Sequence, residues 1–126
     1  MTKPTDPVTL LACAIATQEG YFTPGTFPQE HNNPGDLEYE GQIGASPVVG
    51  SPLAHFATRA LGENALFRQL RAQIAEGQTV SEIIAQWAPS TQNDTSGYLQ
   101  DVLQWTGLPA EVPVLELLPQ LLQLNL

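Results

Sequence analysis

The pattern of apolar and polar positions predicts a first helix over residues 7–19. Apolar side chains recur there every three or four positions, as on one face of a helix, and the series ends on a carboxylate: Val8, Leu11, Ala12, Ile15 and Glu19. Asp6 and Pro7 are typical N-cap and first-turn residues, and Gly20 can adopt the left-handed conformation that ends a helix. We therefore expect Glu19 at the C-terminal end of this helix, in line with its apolar face.

Three further helices are predicted later in the chain, each with a capping residue at its start and a glycine or proline at its end. Their limits are Thr58 and Gly77, Thr79 and Pro89, and Asp94 or Thr95 and Gly107. Thr79 and Glu82 also have the spacing of a capping box. An apolar tail, Leu115 to Leu124, predicts a fifth helix that opens or kinks near Pro119.

Residues 21–56 are rich in proline and glycine, which excludes long helices and predicts loop with a little strand. A turn at Glu40 and Gly41 would join Leu37 and Tyr39 to Ile43 in a small hairpin, and Val48 and Val49 would form a further short strand. The predicted class is mainly α, of α+β type, with about five helices and this hairpin region. We expect one domain over residues 1–126, with a core at 7–108 and an apolar tail at 112–126.

Composition narrows the possible partners. The chain has 13 acidic and 4 basic residues, and a net charge of -9 disfavours nucleic acid and anionic membrane surfaces. One cysteine, Cys13, excludes an intramolecular disulfide, and its apolar neighbours predict a packed thiol. No apolar stretch reaches the length of a membrane span, and no signal peptide is readable, so we expect synthesis in the cytoplasm.

Glu19 is the first candidate for chemistry. A carboxyl group at the end of an apolar face, beside the partly negative C-terminus of a helix, should tend to keep its proton. A general acid that protonates a departing glycosidic oxygen needs that property. The alternative is a side chain in the last turn of an amphipathic helix that reaches solvent, and spacing alone leaves both interpretations open.

The loop after this helix contains His31, Asn32, Asn33, Pro34, Gly35, Asp36 and Leu37. Proline and glycine fix a turn, and the Asn amides could face the hydroxyls of a sugar, although the same residues form turns for their own sake. His31 and His55 lack the close spacing of zinc ligands, so we predict no metal site and assign them solvent or hydrogen-bonding roles.

Several motifs occur in an order that resembles a known family. They are Ala14 to Gly20, Asn32 to Leu37, Phe56 with Gly62 to Leu66, Ala85 to Pro89, and Asn93 to Thr95 with Tyr98. This order is similar to that of small lysozyme-like domains of phage and prophage origin, which in turn resemble soluble lytic transglycosylases and goose-type lysozymes. The resemblance covers residues 8–108 and implies a lysozyme-like fold.

The resemblance implies an enzyme without a cofactor that cleaves peptidoglycan between N-acetylmuramic acid and N-acetylglucosamine. Glu19 would be the catalytic acid. The implied substrate-binding residues are Asn32, Asn33, Asp36, Tyr39, Phe56, Asn93 and Tyr98. Phe56 and Tyr98 could instead be core residues, and Asn93 could help to begin a helix.

The second carboxylate of a two-carboxylate glycosidase has only weak candidates, namely Asp36, Glu38 and Glu40. Lytic transglycosylases avoid the need, because a hydroxyl of the substrate attacks and one Glu serves as acid and then as base. A lytic transglycosylase or a muramidase is therefore expected, acting on the cell wall after release or as part of a virion.

The alternative is a non-catalytic virion, structural or wall-binding module. The acidic charge favours it, because the wall is itself usually anionic. The tail could mediate self-association or docking, or pack on its own domain.

Overall fold

The computed structural model describes residues 6–88 and 94–119, which contain six helices and one two-stranded antiparallel sheet. About half of the chain is helical, so the predicted α+β class agrees with the observed elements. The helices are α1 (Pro7–Gln18), α2 (Phe27–Glu30), α3 (Arg59–Ala75), α4 (Val80–Trp87), α5 (Thr95–Thr106) and α6 (Val114–Leu117), and the strands are β1 (Ala45–Val48) and β2 (Ser51–Phe56). None of the described helices is long and apolar enough to cross a membrane.

The chain divides into two compact units, whose boundaries fall within α1 and α3. The first unit comprises residues 1–14 and 70–126, and the second comprises residues 15–69. The expectation of a single domain stays a prediction.

The first unit contains the capped helices that the sequence predicts. The carboxylate of Asp6 accepts a hydrogen bond from the Val8 amide at 3.1 Å, as an N-cap does. Thr79 and Glu82 form both hydrogen bonds of the capping box at the start of α4. Gly107 is left-handed and ends α5, with φ of 70°. The fully buried apolar side chains of this unit include Leu11, Leu70, Ile74, Val80, Ile83, Ile84, Val102 and Val114.

The start of the apolar tail packs on its own unit, as one of the two alternatives predicts. The amide of Val114 donates to the carbonyl oxygen of Gln78, and that of Ser81 donates to Ala110. Helix α6 ends at Leu117 and Leu118 is extended, as residues before a proline tend to be, which agrees with the predicted opening near Pro119. The remainder of the predicted helix, from residue 120, lies outside the described residues.

The second unit contains the hairpin, in a register that differs from the prediction. Strands β1 and β2 pair across a turn at residues 49–50, where Val49 is fully exposed, so the predicted hairpin that joins Leu37 and Tyr39 to Ile43 is wrong. Residues 37–39 instead lie along the other edge of β2, where the Tyr39 amide donates to the Pro52 carbonyl oxygen at 2.9 Å. Several glycines of this region can form turns, and only pairing with a distant segment selects one of them.

The environment of Cys13 also differs from the prediction. Leu11, Ala12 and Ala14 are buried, whereas Cys13 is exposed. Apolar neighbours in sequence do not imply burial here, because successive residues of a helix point in directions about 100° apart.

Candidate functional site

Glu19 is the C-cap residue of α1, on a turn of well-defined geometry. The Gly20 amide donates to the Thr17 carbonyl oxygen at 3.1 Å, and the Tyr21 amide donates to that of Ala16 at 3.0 Å. With φ of 86° at Gly20, these two bonds form a Schellman motif. Glu19 is half-buried, and its amide donates to the Ile15 carbonyl oxygen at 2.9 Å in the last turn of the helix. The end of α1 therefore fixes the backbone that carries this carboxylate.

The side chain of Thr26 makes hydrogen bonds to the backbone of the same turn. Its hydroxyl oxygen lies 2.7 Å from the carbonyl oxygen of Gly20 and 3.0 Å from that of Thr23. As the N-cap of α2, it also accepts a hydrogen bond from the Gln29 amide at 3.3 Å. A Cβ atom at Gly20 would approach the Thr26 methyl carbon to 3.2 Å, so the turn and α2 are in close contact.

Tyr21 connects the turn to helix α3. Its hydroxyl donates to Glu63 Oε2 at 3.1 Å and accepts from Arg59 Nε at 3.3 Å, and the guanidinium carbon lies 5.8 Å from the ring centroid. Burial is the main cause that raises the pKa of Tyr21, so the hydroxyl keeps its proton and remains a donor to Glu63. Sequence reasoning missed this cluster. The available signal was Arg59 four residues before Glu63, the spacing of neighbours on a helix surface.

Phe22 adds an exposed aromatic ring three residues after Glu19. It packs edge-to-face on Tyr21, with ring centroids 5.3 Å apart, and is 61% exposed. An exposed ring on an anchored neighbour offers an apolar surface at little cost in conformational entropy. This residue was also missed, since nothing in its sequence context distinguishes it.

Asn33 is fully buried, and its amide group bonds to the backbone. Its Nδ2 donates to the carbonyl oxygens of Leu37 and Ala54, both at 2.9 Å, and its Oδ1 accepts from the Leu37 amide at 2.9 Å. This corrects the expectation that Asn33 faces a sugar. The side chain instead joins the loop to β2, because all of its polar atoms are used inside the protein.

Asn32 and Phe56 form a second connection between the loop and β2. Asn32 is left-handed, with φ of 53°, and its Nδ2 donates to the Phe56 carbonyl oxygen at 3.0 Å. The Phe56 amide donates to the His31 carbonyl oxygen at 2.9 Å, and the ring of Phe56 is completely buried. Phe56 is thus a core residue, which corrects its assignment to substrate binding, and the Asn32 amide is engaged in an internal hydrogen bond.

Asp36 and Tyr39 occupy different environments in the same loop. Asp36 is half-buried, its Oδ1 has no hydrogen-bond partner among the described residues, and desolvation raises its pKa. Tyr39 is 42% exposed, and its backbone is fixed by the bond to Pro52. Glu38 and Glu40 are exposed. Tyr39 therefore presents an exposed aromatic ring from a backbone position that pairing with β2 fixes.

The other two predicted substrate-binding residues are Tyr98 and Asn93. Tyr98 is a buried residue of α5 in the first unit, which favours the core interpretation of its ring. Asn93 lies outside the described residues. The helix start that it precedes is capped by Asp94, whose carboxylate accepts from the Gly97 amide at 3.0 Å. The loop of the second unit thus brings together Asn32, Asn33, Asp36 and Phe56 but does not include Tyr98.

His31 and His55 are neighbours in space although 24 residues separate them. Their Nδ1 atoms lie 3.0 Å apart, and the His31 ring stacks on Phe27 with centroids 4.0 Å apart. The predicted hydrogen-bonding role is confirmed for this pair. In the part of the chain that the structure describes, no cluster of three or more His, Cys, Asp or Glu side chains is placed to hold a metal.

Comparison of the chain with protein-family models, with curated proteins and with solved structures gave no match. The function is therefore inferred from the chemistry of its own residues, with the family resemblance as a hypothesis.

Proposed function

We propose that this chain cleaves the glycan strand of peptidoglycan, with Glu19 as the acid that protonates the glycosidic oxygen. The observation that carries the proposal is the position of Glu19, half-buried at the C-cap of α1. The carbonyl groups that end a helix carry partial negative charge, which favours the protonated form of a nearby carboxyl. The lysozyme-like motif order agrees with this assignment.

The rigidity of the turn supports the same role. A general acid must lie within hydrogen-bond distance of the oxygen that it protonates, so displacement by a fraction of an ångström costs rate. Gly20 and Thr26 restrain the backbone beside Glu19, and the Tyr21 hydroxyl binds two side chains of α3. These contacts hold the backbone of the acid in place before substrate binds.

The environment of Asp36 favours the single-carboxylate reaction of lytic transglycosylases. A nucleophilic carboxylate must be ionised, and the surroundings of Asp36 do not stabilise that form: burial raises its pKa, and its Oδ1 has no hydrogen-bond donor among the described residues. In the proposed reaction Glu19 gives its proton to the leaving oxygen. The resulting carboxylate then takes the proton of a substrate hydroxyl as that oxygen bonds to the anomeric carbon. The product carries an anhydro-sugar end.

Two exposed aromatic rings of the same unit are candidate sugar-binding surfaces. Phe22 follows the Glu19 turn, and Tyr39 lies on the loop that pairs with β2. The apolar faces of sugars stack on exposed aromatic rings, since both surfaces gain by leaving water. Phe22 and Tyr39 are therefore proposed to contact the glycan, in place of Asn33 and Phe56.

The test is digestion of purified peptidoglycan by the wild-type chain and by Glu19→Gln, which keeps shape but removes the proton donor. We expect the variant to lose about 100-fold or more in rate. Glu116→Gln makes the same charge change on an exposed residue of α6 and should cleave as the wild type does. Anhydro ends in the digest would identify transglycosylation and reducing ends hydrolysis. Equal rates for Glu19→Gln and wild type would refute the proposal.

A second candidate function is a non-catalytic wall-binding or virion module of the same fold. The internal use of the Asn32 and Asn33 amides favours it, because these groups were expected to bind sugar. Co-sedimentation with peptidoglycan measures binding separately from cleavage. Binding without any soluble product, in wild type and Glu19→Gln alike, would select this function.

A further inference from the structure

We propose that His31 and His55 together bind one divalent transition-metal ion, Cu²⁺ or Ni²⁺, through their Nδ1 atoms. The proposal rests on the spacing of these two atoms and on the way the backbone holds both residues, and it is independent of the proposed function. The pair belongs to the second unit, at the junction of α2 and β2.

The distance between the two nitrogen atoms fits adjacent positions on one metal ion. Metal–imidazole bonds are about 2.0–2.1 Å long, so two nitrogens at a right angle are about 2.9 Å apart and two at the tetrahedral angle about 3.3 Å. The Nδ1 atoms of His31 and His55 are 3.0 Å apart, close to the right-angle value. Right angles are typical of the tetragonal sites of Cu²⁺ and Ni²⁺, which are the two ions proposed.

The His31 ring and the backbone of both histidines are held before any ion binds. The His31 ring stacks on Phe27 at an interplanar angle of 29°. The His31 carbonyl oxygen accepts from the Phe56 amide, next to His55, and the Asn32 side chain donates to the Phe56 carbonyl oxygen. These bonds already bring the two histidines together, although they are 24 positions apart in the sequence. Binding of an ion therefore does not include the entropic cost of closing this loop.

Protons balance without a co-reactant. In the neutral pair one Nδ1 carries a hydrogen and donates it to the other, which accepts through its lone pair. When an ion binds, the donor ring becomes the tautomer protonated at Nε2, so both Nδ1 atoms have a lone pair free to coordinate and no net proton leaves. Water completes the coordination, because the described residues place no third ligand there. The net charge of -9 attracts cations to the protein.

Isothermal titration calorimetry of the full chain with Cu²⁺ and with Ni²⁺ tests the proposal. The chain has two histidines and one cysteine, and Cys13 is exposed, so all measurements use a Cys13→Ser background to remove its thiol as a ligand. His31→Gln and His55→Gln are compared with that background, and circular dichroism checks that each variant is folded. NMR signals of the two imidazoles, recorded on the folded Cys13→Ser protein, report where the ion binds.

We expect one ion per chain, with at least about tenfold weaker binding in each single His variant and weaker binding of Zn²⁺ than of Cu²⁺. Paramagnetic broadening by Cu²⁺ should be centred on residues 31 and 55. The proposal is overturned if the Cys13→Ser protein binds no ion saturably, if either His variant binds as the background does, or if broadening is centred elsewhere. Because the NMR signals are recorded on the folded Cys13→Ser protein, the position of the ion can be tested even if a His variant does not fold.

Discussion

The side chain of Asn33 offers the sharpest test of the architecture around the loop. Asn33→Asp changes one amide nitrogen to oxygen and leaves the shape of the residue nearly unchanged. The Leu37 amide keeps its acceptor. A carboxylate oxygen takes the place of Nδ2, and this oxygen lies 2.9 Å from the carbonyl oxygens of Leu37 and Ala54. Two hydrogen bonds become two repulsive contacts in a fully buried position.

The expected loss follows from these contacts. Each lost hydrogen bond costs about 1 kcal/mol, and a buried charge facing acceptors adds about 1–3 kcal/mol. The total of about 3–5 kcal/mol is a large part of the roughly 5–15 kcal/mol that stabilises a protein of this kind. With an m-value of about 2 kcal/mol/M, the urea midpoint should fall by about 2 M.

Urea unfolding followed by circular dichroism at pH 7 measures the loss, and Asn64→Asp on the exposed face of α3 is the matched control. The control should change stability by less than about 0.5 kcal/mol. The destabilisation should shrink on acidification, because protonating the introduced carboxyl removes the buried charge and restores a donor. A loss below 1 kcal/mol at pH 7 would show that Asn33 is not the internal connection described above.

Two further predictions concern the same loop. Asp36→Asn should raise stability by about 1 kcal/mol at pH 7, because burial raises the pKa of Asp36 and the folded state is penalised once the group ionises. Urea unfolding between pH 3 and 7 should show the full gain in stability at neutral pH. The gain should decrease as pH falls through the raised pKa and vanish below the ordinary value of 3.8. A gain independent of pH would contradict this cause. Gly62→Ala should destabilise by at least about 3 kcal/mol, since its Cβ would lie 1.6 Å from the Asn32 carbonyl oxygen. Thermal unfolding that matches wild type would show that the helix and loop can separate at no cost.

The sequence by itself determined helices α1, α3, α4 and α5 and most of their ends, but not the short helix α2. Asp6 caps α1, Thr79 and Glu82 form the capping box of α4, and glycines end α1 and α5 as predicted. These features could be predicted because each hydrogen bond of a cap joins residues within five positions of one another. The placement of Glu19 at the end of α1 follows from the same local rules, so the candidate acid was found without tertiary information.

Only the tertiary structure decided which polar side chains of the loop are available. Asn33 bonds to Ala54 across 21 residues and Asn32 to Phe56 across 24, so the amides that were expected to bind sugar are held inside. The meeting of His31 with His55 depends on the same long-range pairing. Residue spacing cannot reveal such partners, because the energy that selects them comes from burial and backbone pairing between segments distant in the chain.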